Sequence, residues 1–404
     1  MRTATRSCTR LGRRALALTI GLLGLTLGCG EGAPSPTAPA SDPALATAAT
    51  AAALSFLQVS AGADHTCGVA TNGRAYCWGF NALGQLGDGT TTDRIRPIAV
   101  LGGLHFRHVS VGLNHSCGVT TDERAFCWGR NDKGQLGDGT SANRLTPGVV
   151  AGGRRFRQVR AGVLHTCAVT PFDVGFCWGW NSSGQLGDGT TTDRFTPVRV
   201  HGGLRWLLLS GGGGHSCGVT TDNRAYCWGN NSMGELGDGT GMRRLLPSRV
   251  VGGLQVQQLE AGNGHVCAVT TTNQAYCWGY NGDGQLGDGT TTNRPTPTAV
   301  AGQRRFDNVN ASFTQTCGVT LAERTFCWGR NGVGQLGDGT TTNRLTPVLV
   351  GNGLLLRSVS GGAQHTCGVS PEDQAYCWGW NGTGQLGDGT ETQRLLPTPV
   401  VGPM

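Results

Sequence analysis

The sequence predicts an all-β fold, a seven-bladed β-propeller of four-stranded blades. Three observations predict it: a 50-residue unit copied seven times from Leu54 onward, four short strand patterns in each copy, and no 3.6-residue helical pattern in any copy. Cysteines set the register of the copies. Cys67 recurs as Cys117, Cys167, Cys217, Cys267, Cys317 and Cys367, and Cys77 recurs as Cys127, Cys177, Cys227, Cys277, Cys327 and Cys377. The block Gly84-Gln-Leu-Gly-Asp-Gly-Thr90 returns at the same spacing, with Glu235 replacing Gln in the fourth copy. Glycine is 69 of 404 residues with no triplet period, so it marks turns rather than a collagen-like fibre.

In the first copy, Phe56-Leu-Gln-Val-Ser60 and His65-Thr-Cys-Gly-Val-Ala70 are short apolar-rich strands. Thr71-Asn-Gly73 is a turn, and Arg74-Ala-Tyr-Cys-Trp78 is a third strand. A loop rich in Gly, Asn and Asp runs from Gly79 to about Asp93, and Pro97-Ile-Ala-Val100 is a fourth strand. Four strands, each pairing with its sequence neighbour, make one propeller blade. Seven blades close into a ring without a long open edge. The last copy ends in Pro397-Thr-Pro-Val-Val401, and the first copy lacks such a strand ahead of Phe56. The expected clasp therefore has the C-terminal strand completing the first blade beside Phe56–Ser60.

The segment before the repeats reads as an export leader and a tether. Residues 1–28 carry five arginines followed by an apolar run, too short to span a bilayer comfortably, as in a cleaved signal peptide. Leu25-Thr-Leu-Gly-Cys29 resembles a bacterial lipoprotein box, which implies lipidation of Cys29, although Thr26 stands where Leu is commoner. Ordinary cleavage with a free terminus is the alternative. Residues 29–53 are mostly Ala, Pro, Ser and Thr and form a flexible tether, leaving residues 54–404 as the propeller. Formal charge is +7, and loss of the five leader arginines leaves +2. A near-neutral mature chain with no basic stripe argues against nucleic acid as a partner.

His-Thr-Cys-Gly-Val-Thr followed by Ala-Tyr-Cys-Trp-Gly-x-Asn-x-x-Gly-Gln-Leu-Gly resembles the regulator of chromosome condensation repeat, over residues 54–401. The resemblance implies a seven-bladed propeller. This chain departs from the family in its two cysteines per copy, where small or aliphatic residues are usual. A three-residue hairpin loop pairs residue 70 with residue 74 and sets Cys67 opposite Cys77, at a separation a disulfide can bridge. Seven bridges are expected, Cys67–Cys77 and its six equivalents. With Cys8 lost in the leader and Cys29 lipidated, the remaining 14 of the 16 cysteines are all paired, which fits an oxidising compartment.

Repeated polar residues read as scaffold. His65, His115, His165, His215, His265 and His365 stand two residues before a cysteine, and Gln315 takes that place in the sixth copy. One histidine and two cysteines suggest zinc. Oxidation would consume the thiols, however, and the resemblance implies a hydrogen-bonding histidine here. Asp88-Gly-Thr and its copies lack the spacing of a calcium loop and read as tight turns. Trp78 and its copies read as packing between blades. Arg94 and its copies read as ties from one loop to its neighbour. No metal or other cofactor is expected, and no catalytic constellation stands out.

The scaffold positions hold still among the copies, and a few loop positions do not. The residue after Trp-Gly is Phe80, Arg130, Trp180, Asn230, Tyr280, Arg330 and Trp380, which by the pseudo-sevenfold axis forms one ring on one rim. Aromatic residues and arginine are enriched at binding hot spots; drift at a surface loop favours small polar residues. Positions 82–83 and 63–64 vary as well. These features point to a monomeric, non-enzymatic binding module at a bacterial cell envelope, membrane-anchored and facing a protein or glycan partner. The alternative is an envelope lyase or hydrolase with an axial active site drawn from several blades. Guanine-nucleotide exchange or chromatin binding, suggested by the family name, fits less well with an exported, near-neutral chain of fixed-length repeats.

Overall fold

A computed structural model describes residues 54–403; the readings for residues 1–28, the tether and lipidation at Cys29 fall outside them. The described chain forms seven four-stranded antiparallel sheets, each built from four consecutive strands. Among the described residues the only helix is a 3-10 turn at Gly351–Gly353. In the first blade the strands are β1 (Phe56–Ala61), β2 (His65–Ala70), β3 (Ala75–Gly79) and β4 (Arg94–Ala99). The fourth strand thus starts three residues earlier than the sequence suggested. Its proline, Pro97, sits in the outermost strand, where a missing N–H leaves no ladder bond unmade.

The hairpin register is as expected: Cys67 faces Cys77, and the Ala70 N–H donates to the Arg74 carbonyl at 2.9 Å. All seven cysteine pairs are joined sulfur to sulfur, with Cα atoms 4.0 to 4.1 Å apart. Each bridge lies on a fully buried face packed against the next blade. Cys67 and Cys77, with Val69, Leu86 and Val100, cover Phe106 and Trp128 of the second blade. Burying one such indole removes on the order of 200 Å² from water, about 5 kcal/mol before entropy is counted.

Polar groups knit the same boundary. The Gln85 carbonyl accepts from Trp128 Nε1 and from Ser116 Oγ of the next blade, both at 2.9 Å. Ser116 Oγ also meets His65 Nε2 at 2.9 Å. The backbone after Gln85 must therefore run hard against the neighbouring indole. Gly87 has φ of +70°, and a Cβ there would lie 2.8 Å from Trp128 Nε1, so only glycine fits.

Closure of the ring corrects the sequence reading. The C-terminal strand, Arg394–Pro399, pairs with Ala375–Gly379 of its own seventh blade and does not complete the first. The seventh and first blades meet through the same bonds as the first and second. Trp78 Nε1 and Thr66 Oγ1 donate to the Gln385 carbonyl at 2.9 and 3.0 Å, and His365 Nε2 lies 2.8 Å from Thr66 Oγ1. The reason is the phase of the repeat. Each 50-residue copy carries all four strands of one blade, so every described strand is used within its own blade.

Two boundaries deviate. Val266 stands where other blades carry Ser or Thr, and His215 Nε2 has no partner. Gln315 replaces the histidine of the sixth blade and donates instead to the Gly362 and His365 carbonyls at 3.1 and 3.3 Å. The histidines are fully buried, and burial pushes their ring pKa down, to about 3 for His65, His115, His165, His265 and His365 and to about 4 for His215.

Val266→Thr returns the missing hydroxyl to His215 and is expected to stabilise the domain by about 1 kcal/mol. Urea unfolding would show this as a higher midpoint at unchanged slope; a lower midpoint would count against the interblade bond as a stabilising unit. Cys167→Ala/Cys177→Ala removes a bridge that spans ten residues and should cost about 2 kcal/mol in the same measurement. The histidines also set a pH dependence. In the unfolded chain they protonate near pH 6.5 and in the folded chain only far below it, so their contribution is complete above about pH 6.5. It is lost on acidification at about 1.4 kcal/mol per pH unit for each histidine. His165→Gln, which copies the natural sixth blade, should flatten the fall in thermal midpoint between about pH 7 and about pH 5. An unaltered slope would mean that His165 takes up its proton in the folded state as it does in water.

Candidate functional site

Antiparallel order puts the turns between first and second strands and the loops between third and fourth strands on one face of the ring. That face carries every variable position singled out in the sequence. The two loops are tied together in each blade. The N–H of Phe80 donates to the Asp64 carbonyl at 2.9 Å, and the equivalent bonds at Arg130, Trp180, Asn230, Tyr280, Arg330 and Trp380 run from 2.8 to 3.1 Å. One shared scaffold thus holds the ring residue against the variable pair at 63–64.

An asparagine absent from the list of candidate residues builds the long loop. Asn81 Nδ2 donates to Asp88 Oδ1 and to the Thr90 and Thr92 carbonyls at 3.0 to 3.1 Å, while Asn81 Oδ1 accepts from the Leu86 N–H at 3.0 Å. It is fully buried, as are its six copies. Its recurrence at every 50th residue was the available signal. Asn181-Ser-Ser and Asn381-Gly-Thr match a glycosylation sequon, but these asparagines are buried and spend their amides on the loop. The Asp88 turn forms as expected, with the Thr90 N–H donating to Asp88 Oδ1 at 3.1 Å. Arg94 grips Asp88 Oδ2 at 2.7 Å inside its own loop rather than tying it to a neighbour. Burial alone would raise the Asp88 carboxyl; Arg94, Thr90 and Asn81 outweigh it and hold the group below its ordinary range.

The seven ring side chains are half-buried or exposed, and none is buried. Arg130 forms a two-pronged pair with Asp132 at 2.6 and 2.8 Å, and Asn230 donates to Glu235 Oε1 at 2.6 Å. These two spend their polar groups on their own loops. Tyr280 and Trp380 lie over Gly282 and Gly382, where a Cβ would come within 2.2 Å of the Tyr280 hydroxyl and 2.4 Å of the Trp380 ring. Those glycines are therefore seats for the aromatic side chains. Trp380 is 38 % exposed. Among the described residues no hydrogen bond links one ring member to another, so the ring is seven separate contacts on a common face. Near it, burial raises the Asp64 and Glu235 carboxyls above their ordinary values.

At the centre of the same face lies a cavity of about 90 Å³, lined by the ends of all seven first strands. The position after Val59 and its copies is Ser60, Ser110, Arg160, Ser210, Glu260, Asn310 and Ser360. In five blades this side chain accepts the N–H of the next blade; Ser110 Oγ takes that of Ala161 at 3.0 Å, and Asn310 Oδ1 that of Gly361 at 2.7 Å. Arg160 and Glu260 break the series and pair with each other at 3.3 Å across the intervening blade, where Ser210 Oγ donates to Glu260 Oε2 at 2.9 Å. Comparison of the copies at position 60 would have revealed this pair.

The description of the RCC1-like domain matches residues 24–317, more than half of the chain. The chain belongs to the RCC1-like family. Regulator of chromosome condensation (RCC1) repeats match residues 323–369 and 372–404 as well, and a second RCC1 repeat description matches residues 356–385. No curated protein matches this RCC1-like chain. Among solved structures, human WBSCR16 is similar at 20 % identity and a TM-score of 0.74, covering 81 % of this chain and 94 % of that one. Prp20p from Saccharomyces cerevisiae, described together with its binding to Gsp1p and histones, is similar at 21 % identity and a TM-score of 0.71, over 86 % and 87 % of the two chains. The ectodomain of the Arabidopsis thaliana receptor kinase ACR4 is similar at 20 % identity and 0.52, over 81 % and 96 %. At such identities the likeness is one of fold.

Gly382→Ala is expected to unseat the Trp380 ring while leaving the blade intact. Trp380 fluorescence quenching by acrylamide should rise with no change in urea midpoint. Unchanged quenching would mean that the glycine does not position the ring.

Proposed function

We propose that this RCC1-like propeller is a non-enzymatic protein-binding module, exported and held at a bacterial cell envelope by a lipidated Cys29. It presents the loop face carrying Phe80, Arg130, Trp180, Asn230, Tyr280, Arg330 and Trp380 to its partner. One observation carries the reading. The variable side chains all stand on one face, each bonded through its backbone to the variable turn beside it, on a scaffold whose buried residues hardly change. In chain order the arc from the third to the fifth blade holds Trp180 and Tyr280 with exposed Met233 between them, and Trp380 adjoins Phe80 across the ring closure. Aromatic side chains bury much area at low entropic cost and methionine adapts to the surface it meets, which suits a protein contact.

An axial lyase or hydrolase is the weaker reading. Among the described residues Glu260 is the only carboxylate that lines the axial cavity, and it is engaged by Arg160 and Ser210. General acid–base cleavage calls for a second titrating group within reach. Exchange on a small GTPase, the activity suggested by the family name, finds no inserted segment in repeats of constant length.

The test is capture from detergent-solubilised envelope of the source cells by the immobilised chain, with Trp180→Ala/Trp380→Ala beside it. A protein retained by the parent and lost by the double variant is the expected result. Equal retention by both would sink the aromatic-face reading. Cys29→Ser is expected to move the chain from the membrane to the soluble fraction; unchanged partition would remove the lipid anchor from the proposal.

A further inference from the structure

The face opposite the variable loops carries the turns between second and third strands and the connections between blades. The chain enters the propeller on this face. Ser55 bridges to Gln374, the Phe56 N–H donates to the Asp373 carbonyl at 2.7 Å, and the Thr71 N–H donates to the Ser55 carbonyl at 2.9 Å. Two blades depart from the repeat here, and their departures coincide. Arg154-Arg155 and Arg304-Arg305 end the connections into the third and sixth blades, where every other blade has Leu at the first of these positions. In the same two blades the turn loses its polar tip: Pro171-Phe172 and Leu321-Ala322 stand where the second blade has Thr121-Asp122. Phe172 is 78 % exposed and Leu321 56 %, so neither adds much to the core. Arg107, Arg157 and Arg357 on this face pair with carboxylates of the turns; among the described residues Arg154, Arg155, Arg304 and Arg305 pair with none. Arg154 and Arg304 lie over the Phe176 and Phe326 rings instead, at 4.7 and 4.4 Å.

We infer that this face docks on an anionic lipid bilayer, with Phe172 and Leu321 entering the headgroup layer and the neighbouring arginines on lipid phosphates. The inference rests on the reading of Cys29 as a lipid anchor. Only 24 residues separate Cys29 from Leu54, a span of at most about 80 Å, and they join the propeller on this face. Guanidinium groups beside aromatic and aliphatic tips suit a bilayer interface, where charge meets phosphate and the apolar tip lies below it. Charge agrees. Over residues 71–74, 101–107 and their copies, twelve arginines stand against eight carboxylates. The variable face reverses this, with fourteen carboxylates against eleven lysines and arginines over residues 62–64, 80–94 and their copies. An anionic surface therefore attracts one face and repels the other. The third and sixth blades lie three apart in the ring, so the two contacts support the disc from opposite sides. Docked in this way, the chain turns Phe80 and its copies away from the bilayer and toward a partner.

Co-sedimentation with vesicles tests the inference, using the mature chain from residue 29 with Cys29→Ser so that it carries no lipid. Phosphatidylcholine vesicles that include phosphatidylglycerol should hold this chain about tenfold more tightly than phosphatidylcholine alone, and about 0.5 M salt should release it. Phe172→Asp/Leu321→Thr and Arg154→Leu/Arg304→Leu should each weaken binding about tenfold. Both variants should melt with the parent, because the second blade already carries Leu104, Thr121 and Asp122 at these positions; if one does not, the other decides. Trp180→Ala/Trp380→Ala should bind vesicles as the parent does. Absence of binding to phosphatidylglycerol vesicles overturns the proposal. So does equal binding to both kinds of vesicle, binding that survives both variants of this face, or binding lost in the Trp180→Ala/Trp380→Ala chain. Failure here is separate from failure of the anchor, since the chain tested has no lipid. A high-salt wash of cell membranes removes the docking contact and leaves the anchor alone to be read in the partition of the Cys29→Ser chain.

Discussion

The structure depends on the boundary between successive blades. At that boundary one backbone carbonyl, that of Gln85 or its equivalent, receives an indole N–H and a hydroxyl from the next blade. The same hydroxyl meets the buried histidine, and the disulfide-bearing face closes over the next indole. A single repeat has nothing to bury its cysteine face against, and only the neighbour supplies it. Stability is therefore shared between units and completed by ring closure, which uses the same bonds between the seventh and first blades. A strand exchange would be a second fastening at a joint that already has the full set.

Because this boundary is repeated, its exceptions are informative. Val266 leaves His215 without a partner, and Gln315 finds two backbone carbonyls in place of a hydroxyl. Both are tolerated, as one bond of about 1 kcal/mol is small beside a buried indole. The axial exceptions differ in kind. Arg160 and Glu260 replace small acceptors with charges that pair with each other instead of taking the neighbouring N–H.

The disulfides recur once in every blade. They cross-link the second and third strands of each blade at the point of closest approach. The hairpin that they stiffen carries the variable turn and the ring residue side by side at its open end. A rigid base with variable tips is the arrangement that lowers the entropic cost of binding. Fold likeness at about a fifth identity to proteins as different as Prp20p and a receptor-kinase ectodomain fits the rule that function resides in sites carried by the fold.

The repeat, the blade, the strand order within a hairpin and the pairing of Cys67 with Cys77 were legible in the sequence, because period and turn length fix local register without reference to the rest of the chain. The common face of Phe80 and its copies was legible for the same reason. Ring closure was not, since Pro397–Val401 reads equally well as the last strand of one blade or the first of another. Only the pairing of Tyr376 with Pro399 decides between them. The loop-building role of Asn81 was visible as recurrence but not as chemistry, because its four partners lie five to eleven residues away in a loop with no regular pattern. Arg160 and Glu260 stand 100 residues apart in sequence. Their meeting is a product of the sevenfold ring, which brings to one axis what the chain keeps far apart.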